Sequence, residues 1–198
     1  MAYSDFDLKK VKADFALVEG PECDLFESVP VCEPSEELRR WLRDFSGLAI
    51  NFGSELARTV YLLGPIFGEV MRRARVSVFT GIALDVDKGK GLTGVCDHLI
   101  TRSRERHYLA GPVCAVVEAK REDIGGGFGQ CAAEMVAARI FNERDKNPLP
   151  AVYGCVTTGN VWRFLKLEGA TLFIDGREYY LSELPKLLGI LVNIAAPV

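Results

Sequence analysis

The chain has 198 residues, 48% of them hydrophobic and 26% charged, with a formal net charge of −3. That balance suits one globular domain and excludes disordered and fibrous classes. The mild negative charge argues against coating nucleic acid by bulk electrostatics, while leaving room for a local basic face.

Residues 1–53 read as an extension that packs on the rest. DLKKVKADFALV predicts a short helix, Gly20 to Glu37 an irregular connection, and EELRRWLRDF a second short amphipathic helix. The stretch SELARTVYLLGPIFGEVMRR, residues 54–73, predicts a longer helix. Ser54 is its N-cap, Leu56, Val60, Leu63 and Phe67 form its apolar stripe, and Gly64–Pro65 kinks or divides it. The pattern then turns to strands. RVSVFTGIALDV is the first, DKGKG a turn, LTGVCDHLIT the second, and VCAVVEAK the third after a polar loop. IGGGFG reads as a flexible break before a helix that starts near Gln130. AVYGCVTTG and VWRFLKLEG predict a hairpin around Thr158–Asn160, and TLFIDGREYYL a second hairpin around Asp175–Gly176. SELPKLLGILVNIA closes the chain as an apolar helix capped by Ser182, which either covers the sheet or forms a dimer interface. The element order implies an α/β or α+β fold with a mixed central sheet and helices on its faces.

No apolar run approaches the ~20 residues that span a bilayer. The polar start MAYSDFDLKK lacks a secretory pattern, so a cytoplasmic location is expected. The six cysteines show no CxxC spacing, and four lie in apolar segments where reduced thiols pack as small hydrophobes. Arg72, Arg73 and Arg75 form one basic cluster and Arg102, Arg104 and Arg106 another, which read as a solvated helix end and a solvated loop.

Charge at the end of VCAVVEAK needs an account. Strand alternation puts Glu118 and Lys120 on one face with Cys114 and Val116, while Val113, Ala115, Val117 and Ala119 point the other way. Asp97 interrupts the preceding apolar strand, and antiparallel pairing would bring it beside Glu118, with His98 on the opposite face. Two carboxylates and an ammonium at a strand end suit a hard divalent cation, with the Ala119 carbonyl as a third ligand. Lys120 would help activate a water or stabilise charge on a phosphate. A structural ion pair is the competing account.

Asp97, then twenty residues, then Glu118-Ala119-Lys120, followed by a helix and a strand, resembles the PD-(D/E)XK restriction-endonuclease-like nucleases. The likeness covers roughly residues 54–168 and is nearest to nuclease domains of type I restriction subunits. It implies an αβββαβ core with extra C-terminal strands and helix, and Mg²⁺ or Mn²⁺ held by Asp97, Glu118 and Ala119. Family members add a glutamate from the first core helix. Glu55 is preferred over Glu69 there, with helix capping as the plainer role for either. Gln130 matches a glutamine found on the helix after the E-x-K strand, with Glu134 one turn on as the weaker alternative. The implied activity is metal-dependent cleavage of nucleic acid, most readily DNA. Cutting both strands would make a homodimer attractive. The alternatives are a catalytically inactive binding or assembly module of the same fold, and a hydrolase of a small phosphorylated substrate.

Overall fold

The computed structural model describes residues 1–196, and its N-terminal part already enters the core. Helix α1 (Leu8–Asp14) is capped by Asp7, whose carboxylate accepts from Lys10 N. A two-residue strand, β1 (Val18–Glu19), follows. The loop beyond it buries Phe26, and α2 (Glu36–Phe52) begins on a Ser35 cap with Glu36 and Glu37 favourably placed in its first turn. This helix is longer than the short segment expected. It runs seventeen residues until Gly53 adopts a left-handed conformation, φ +64°.

The next helical stretch is divided. Helix α3 (Glu55–Arg58), capped by Ser54, passes through a π turn (Thr59–Leu63) into α4 (Gly64–Ala74). Pro65 has no N–H to give the carbonyl of Tyr61, one turn back, and the indole of Trp41 on α2 donates to that carbonyl at 3.1 Å. The π turn rotates the later residues, so the expected stripe fails at its start. Leu56 and Val60 are exposed, whereas Leu62, Leu63, Ile66, Phe67 and Val70 are buried.

Strands β2 (Ser77–Ala83), β3 (Val95–Thr101) and β4 (Val113–Ala119) form an antiparallel meander. Helix α5 (Ile124–Arg144) crosses to β5 (Ala151–Thr157), which pairs parallel with β4. Strand β6 (Val161–Glu168) returns antiparallel, as the Thr158–Asn160 turn implied. Strands β7 (Thr171–Ile174) and β8 (Tyr179–Tyr180) do not pair with each other, contrary to the second expected hairpin. Both pair with β6, at its opposite ends. Asp175 makes the corner between them: it is fully buried, and accepts from Tyr179 Oη and the Arg177 and Leu25 N–H groups. The result is a mixed α/β fold with one open sheet, ordered β1-β7-β6-β5-β4-β3-β2, with β8 off that path.

Two hydrophobic cores flank the sheet. On one face α2, α4 and the last helix, α6 (Leu184–Ala195), cover Val117, Cys155, Trp162 and Phe164. On the other, α1 and α5 cover Leu99, Val116, Val156 and Leu165. The apolar face of α6 is therefore spent inside this chain, with Leu187, Leu188, Ile190 and Leu191 buried. Ser182 lies in a short 3-10 turn, and α6 has no side-chain cap. Trp162 and Phe164 are core residues, fully buried.

Strand β4 carries a bulge. Ile100 pairs with Ala115 but Thr101 pairs with Val113, leaving Cys114 as the extra residue. A bulge reverses side-chain alternation on its far side. Val113 therefore joins Val116 on the α5 side, and Cys114 packs with Ala115 and Val117 on the other. The alternation expected from sequence holds only from Ala115 onward. Asn142 of α5 secures this end of the strand, accepting from Val113 N at 2.7 Å and donating to its carbonyl at 2.8 Å.

Candidate functional site: a carboxylate, lysine and glutamine cluster at the end of β4

The C-terminal end of β4 gathers Asp97, Glu118, Lys120 and Gln130. Side chains of Asp97 and Glu118 share the α5 face because the β3–β4 register, His98 opposite Val117, makes them neighbours. Asp97 Oδ2 accepts the Ala119 N–H at 2.8 Å, across the gap between the two strands. Lys120 Nζ lies 2.8 Å from Glu118 Oε1 and donates to Gln130 Oε1 at 2.9 Å. Gln130 Nε2 in turn donates to Glu134 Oε1 at 3.1 Å, which fixes the amide with its oxygen toward Lys120. The i, i+4 spacing of Gln130 and Glu134 places both on the helix face toward the sheet.

Glycines let the helix approach this closely. IGGGFG is not a flexible break: Asp123 caps α5, accepting from Gly126 N at 2.9 Å, and the glycines form its first turns. A Cβ on Gly127 would stand 2.7 Å from a Val156 methyl and 3.2 Å from Lys120 Cε. On Gly129 it would stand 2.3 Å from the Asp7 carbonyl carbon and 2.4 Å from Phe6 O. The glycines thus serve packing, of Lys120's stem on one side and of the N-terminal segment on the other.

Burial dominates the electrostatics. Glu118 is 3% exposed, and its carboxyl is pushed up to about 7, first by burial and then by the Asp97 charge. The Lys120 contact lowers it without overcoming those effects. Glu134 is fully buried and pushed well above the ordinary carboxyl range by burial and then by Glu118. Burial alone would lower Lys120, but the hydrogen bond and charge of Glu118 outweigh it and hold the ammonium above its usual value. Glu118 Oε2 and Glu134 Oε2 are buried with no hydrogen-bond partner.

The other expected positions divide. Glu55 stands in the first turn of α3, exposed, and lines a pocket of about 400 Å³ with Gly53, Ser54 and Arg121. It is at the same end of the sheet but makes no hydrogen bond or ion pair with Asp97, Glu118 or Lys120. Arg58, one turn on, donates to the carbonyls of Lys120 (3.4 Å) and Arg121, tying α3 to the strand end. Glu69 is buried elsewhere, held by Arg72, by Arg73 at 2.6 Å, and by the Ser35 hydroxyl at 2.9 Å. Burial raises its carboxyl, but the Arg73 and Ser35 hydrogen bonds prevail and lower it. His98 faces away from Asp97, as alternation implied: Nδ1 is 3.1 Å from Thr80 Oγ1, and burial pushes the ring down to about 4. Glu134 is a full member of the cluster and Gln130 holds Lys120 directly. The Gln-x-x-x-Glu spacing on a helix was the signal for both.

Among the described residues no group of three or more His, Cys, Asp or Glu is disposed to hold a metal ion as it stands. The oxygens this strand end could offer to one are those of Asp97, the orphaned Glu118 Oε2, and the Ala119 carbonyl. That carbonyl projects toward the same strand edge as the Ala119 N–H bonded to Asp97. All six cysteines are free thiols, four of them buried. No described helix is long and apolar enough to cross a membrane. No family model, curated protein or solved structure matches the chain.

Proposed function

We propose that this protein is a metal-dependent nuclease, with DNA as the substrate and a restriction-endonuclease-like core. The observation that carries the reading is the convergence of Asp97, Glu118, Lys120 and Gln130, from three elements, at one strand end. The order α4, β2, β3, β4, α5, β5 also agrees with the αβββαβ arrangement of those nucleases. Asp97, Glu118 and the Ala119 carbonyl would hold Mg²⁺ or Mn²⁺. Such a cation neutralises phosphodiester charge and makes bound water a better nucleophile.

The chain's own residues complete the site. Lys120, kept protonated by Glu118, places a fixed positive charge where a phosphoryl oxygen gains negative charge. Gln130 holds that ammonium, and Glu134 holds Gln130, so a buried chain of hydrogen bonds orients the lysine. Glu55 contributes from the rim beside Arg121.

One observation favours a second reading, a catalytically silent binding module. Asp97 Oδ2 is already taken by Ala119 N–H and Glu118 Oε1 by Lys120, so the polar groups largely satisfy each other. Plasmid cleavage with Mg²⁺ or Mn²⁺ separates the two readings. Cleavage is expected for the wild type and lost in Asp97→Ala and Lys120→Ala. Equal cleavage by both variants, or no cleavage together with no calorimetric Mn²⁺ binding, sinks the nuclease assignment.

A further inference from the structure

The two arginine clusters meet. A cleft of about 450 Å³ between the end of α4 and the loop after β3 is lined by Arg72 and Arg75 on one side and Arg104 and Arg106 on the other. Met71 and Val76 supply part of its apolar floor.

The fold sorts the six arginines of these clusters by use. Arg73 is bound to Glu69 and to the Glu33 carbonyl at 2.6 Å, and Arg102 donates to the Ile194 carbonyl at 3.2 Å, so both are structural. Arg72 reaches the cleft partly neutralised by Glu69 and Glu37. Arg75, Arg104 and Arg106 make no side-chain hydrogen bond or ion pair among the described residues. The carboxylate between two of them does not neutralise them directly. Glu105 turns back on its own loop, accepting the Arg106 and His107 N–H groups, each at 2.8 Å. Three unpaired guanidinium groups facing one concavity repel one another, on a chain whose net charge is −3. Such an arrangement is stabilised by an anion that several of them touch at once, and the planar fork of arginine suits phosphate oxygens.

We propose that this cleft is a binding site for a ligand carrying two or more adjacent phosphate groups. The site is separate from the carboxylate cluster. Ser77, in the cleft, pairs with Thr101 at the far end of β3. Asp97 lies four residues back along that strand, about 14 Å at 3.4 Å per residue. The cleft also adjoins α4, on the sheet face opposite α5. Its occupancy therefore does not depend on the nuclease reading. Adjacent phosphates come from two sources, a free oligophosphate such as a nucleoside triphosphate or the backbone of a nucleic acid.

The test is direct titration of the full chain in EDTA, once with inorganic tripolyphosphate and once with a short single-stranded DNA. The wild type is compared with a triple variant (Arg75→Gln, Arg104→Gln, Arg106→Gln) and with a charge-matched control (Lys9→Gln, Lys90→Gln, Lys146→Gln). Removing one charge-assisted hydrogen bond to phosphate weakens binding about tenfold, so the triple variant should fail to bind while the control stays close to wild type. Loss of tripolyphosphate binding supports the site with a small-molecule source. Loss of DNA binding alone supports it with a backbone source, whose affinity also falls steeply with salt. Binding of neither probe by the wild type overturns the proposal, as does equal binding by the triple variant and the control. Should the triple variant melt early, Arg104→Gln alone, on the exposed loop, carries the comparison.

Discussion

Replacing Glu118 by glutamine tests the electrostatics of the cluster without any assumption about activity. The wild-type carboxyl moves from an ordinary 4.5 in the unfolded chain to about 7 in the fold, chiefly through burial and then through Asp97. A raised carboxyl means that the folded state binds more protons than the unfolded state between those pH values. Stability therefore falls as pH rises from 4.5 to 7, and the full penalty is present above 7. At about 1.4 kcal/mol for each tenfold change in proton affinity, the penalty is about 3 kcal/mol. Glu118→Gln has no such penalty. It also loses the Lys120 ion pair, which shifts its stability by an offset, so the informative quantity is the change with pH in the difference between the two proteins. Urea unfolding followed by fluorescence of buried Trp162 should show the variant gaining about 3 kcal/mol relative to wild type between pH 4.5 and 8. A difference that stays flat with pH, or that moves against the variant as pH rises, would refute the assignment of a raised Glu118.

Three further predictions concern packing and metal. Gly129→Ala should destabilise the protein by about 3 kcal/mol or more despite alanine's better helix propensity, because its Cβ meets the Asp7 and Phe6 backbone. Gly125→Ala meets only an ordinary 3.6 Å approach to Asp123 and should stabilise by about 0.5–1 kcal/mol. Thermal melting compares the pair, and matching changes would contradict the packing account. Asn142→Leu strips partners from a buried N–H and a buried carbonyl of Val113 and should cost about 2–4 kcal/mol in urea unfolding. Saturating Mn²⁺ should raise the melting temperature of the wild type but not of Asp97→Ala, since a ligand bound only by the folded state stabilises it; an equal rise in both would place the cation elsewhere.

Much of the candidate site was legible because it depends on short-range periodicity. Strand alternation alone put Glu118 and Lys120 on one face, and adjacent antiparallel strands put Asp97 beside them. The apolar runs of β3, β4, β5 and β6 were readable for the same reason. Features that depend on distant partners were not. Whether a glycine run is a loop or a helix depends on what packs against it. At IGGGFG the partners are Val156, Lys120 and the Phe6–Asp7 backbone, the last more than a hundred residues away in sequence. The stripe through Leu56 and Val60 was misread because one π turn, hidden in a continuous helical pattern, rotates all that follows. The second hairpin failed because Asp175 turns the chain along β6 rather than back on β7. The capture of Glu69 by Ser35, from outside its helix, was hidden for the same reason.

The sequence by itself determined the class of fold, the reduced state expected of the buried thiols, and the face on which Asp97, Glu118 and Lys120 meet, because these follow from periodicities of two and 3.6 residues and from composition. Only the tertiary structure decided that Glu134 joins them as a buried acid, that Cys114 bulges out of register, and that two arginine clusters thirty residues apart line one cleft. Those outcomes rest on burial and on charges brought together across elements. Desolvation and Coulomb interaction act through space, and chain order carries no record of that distance.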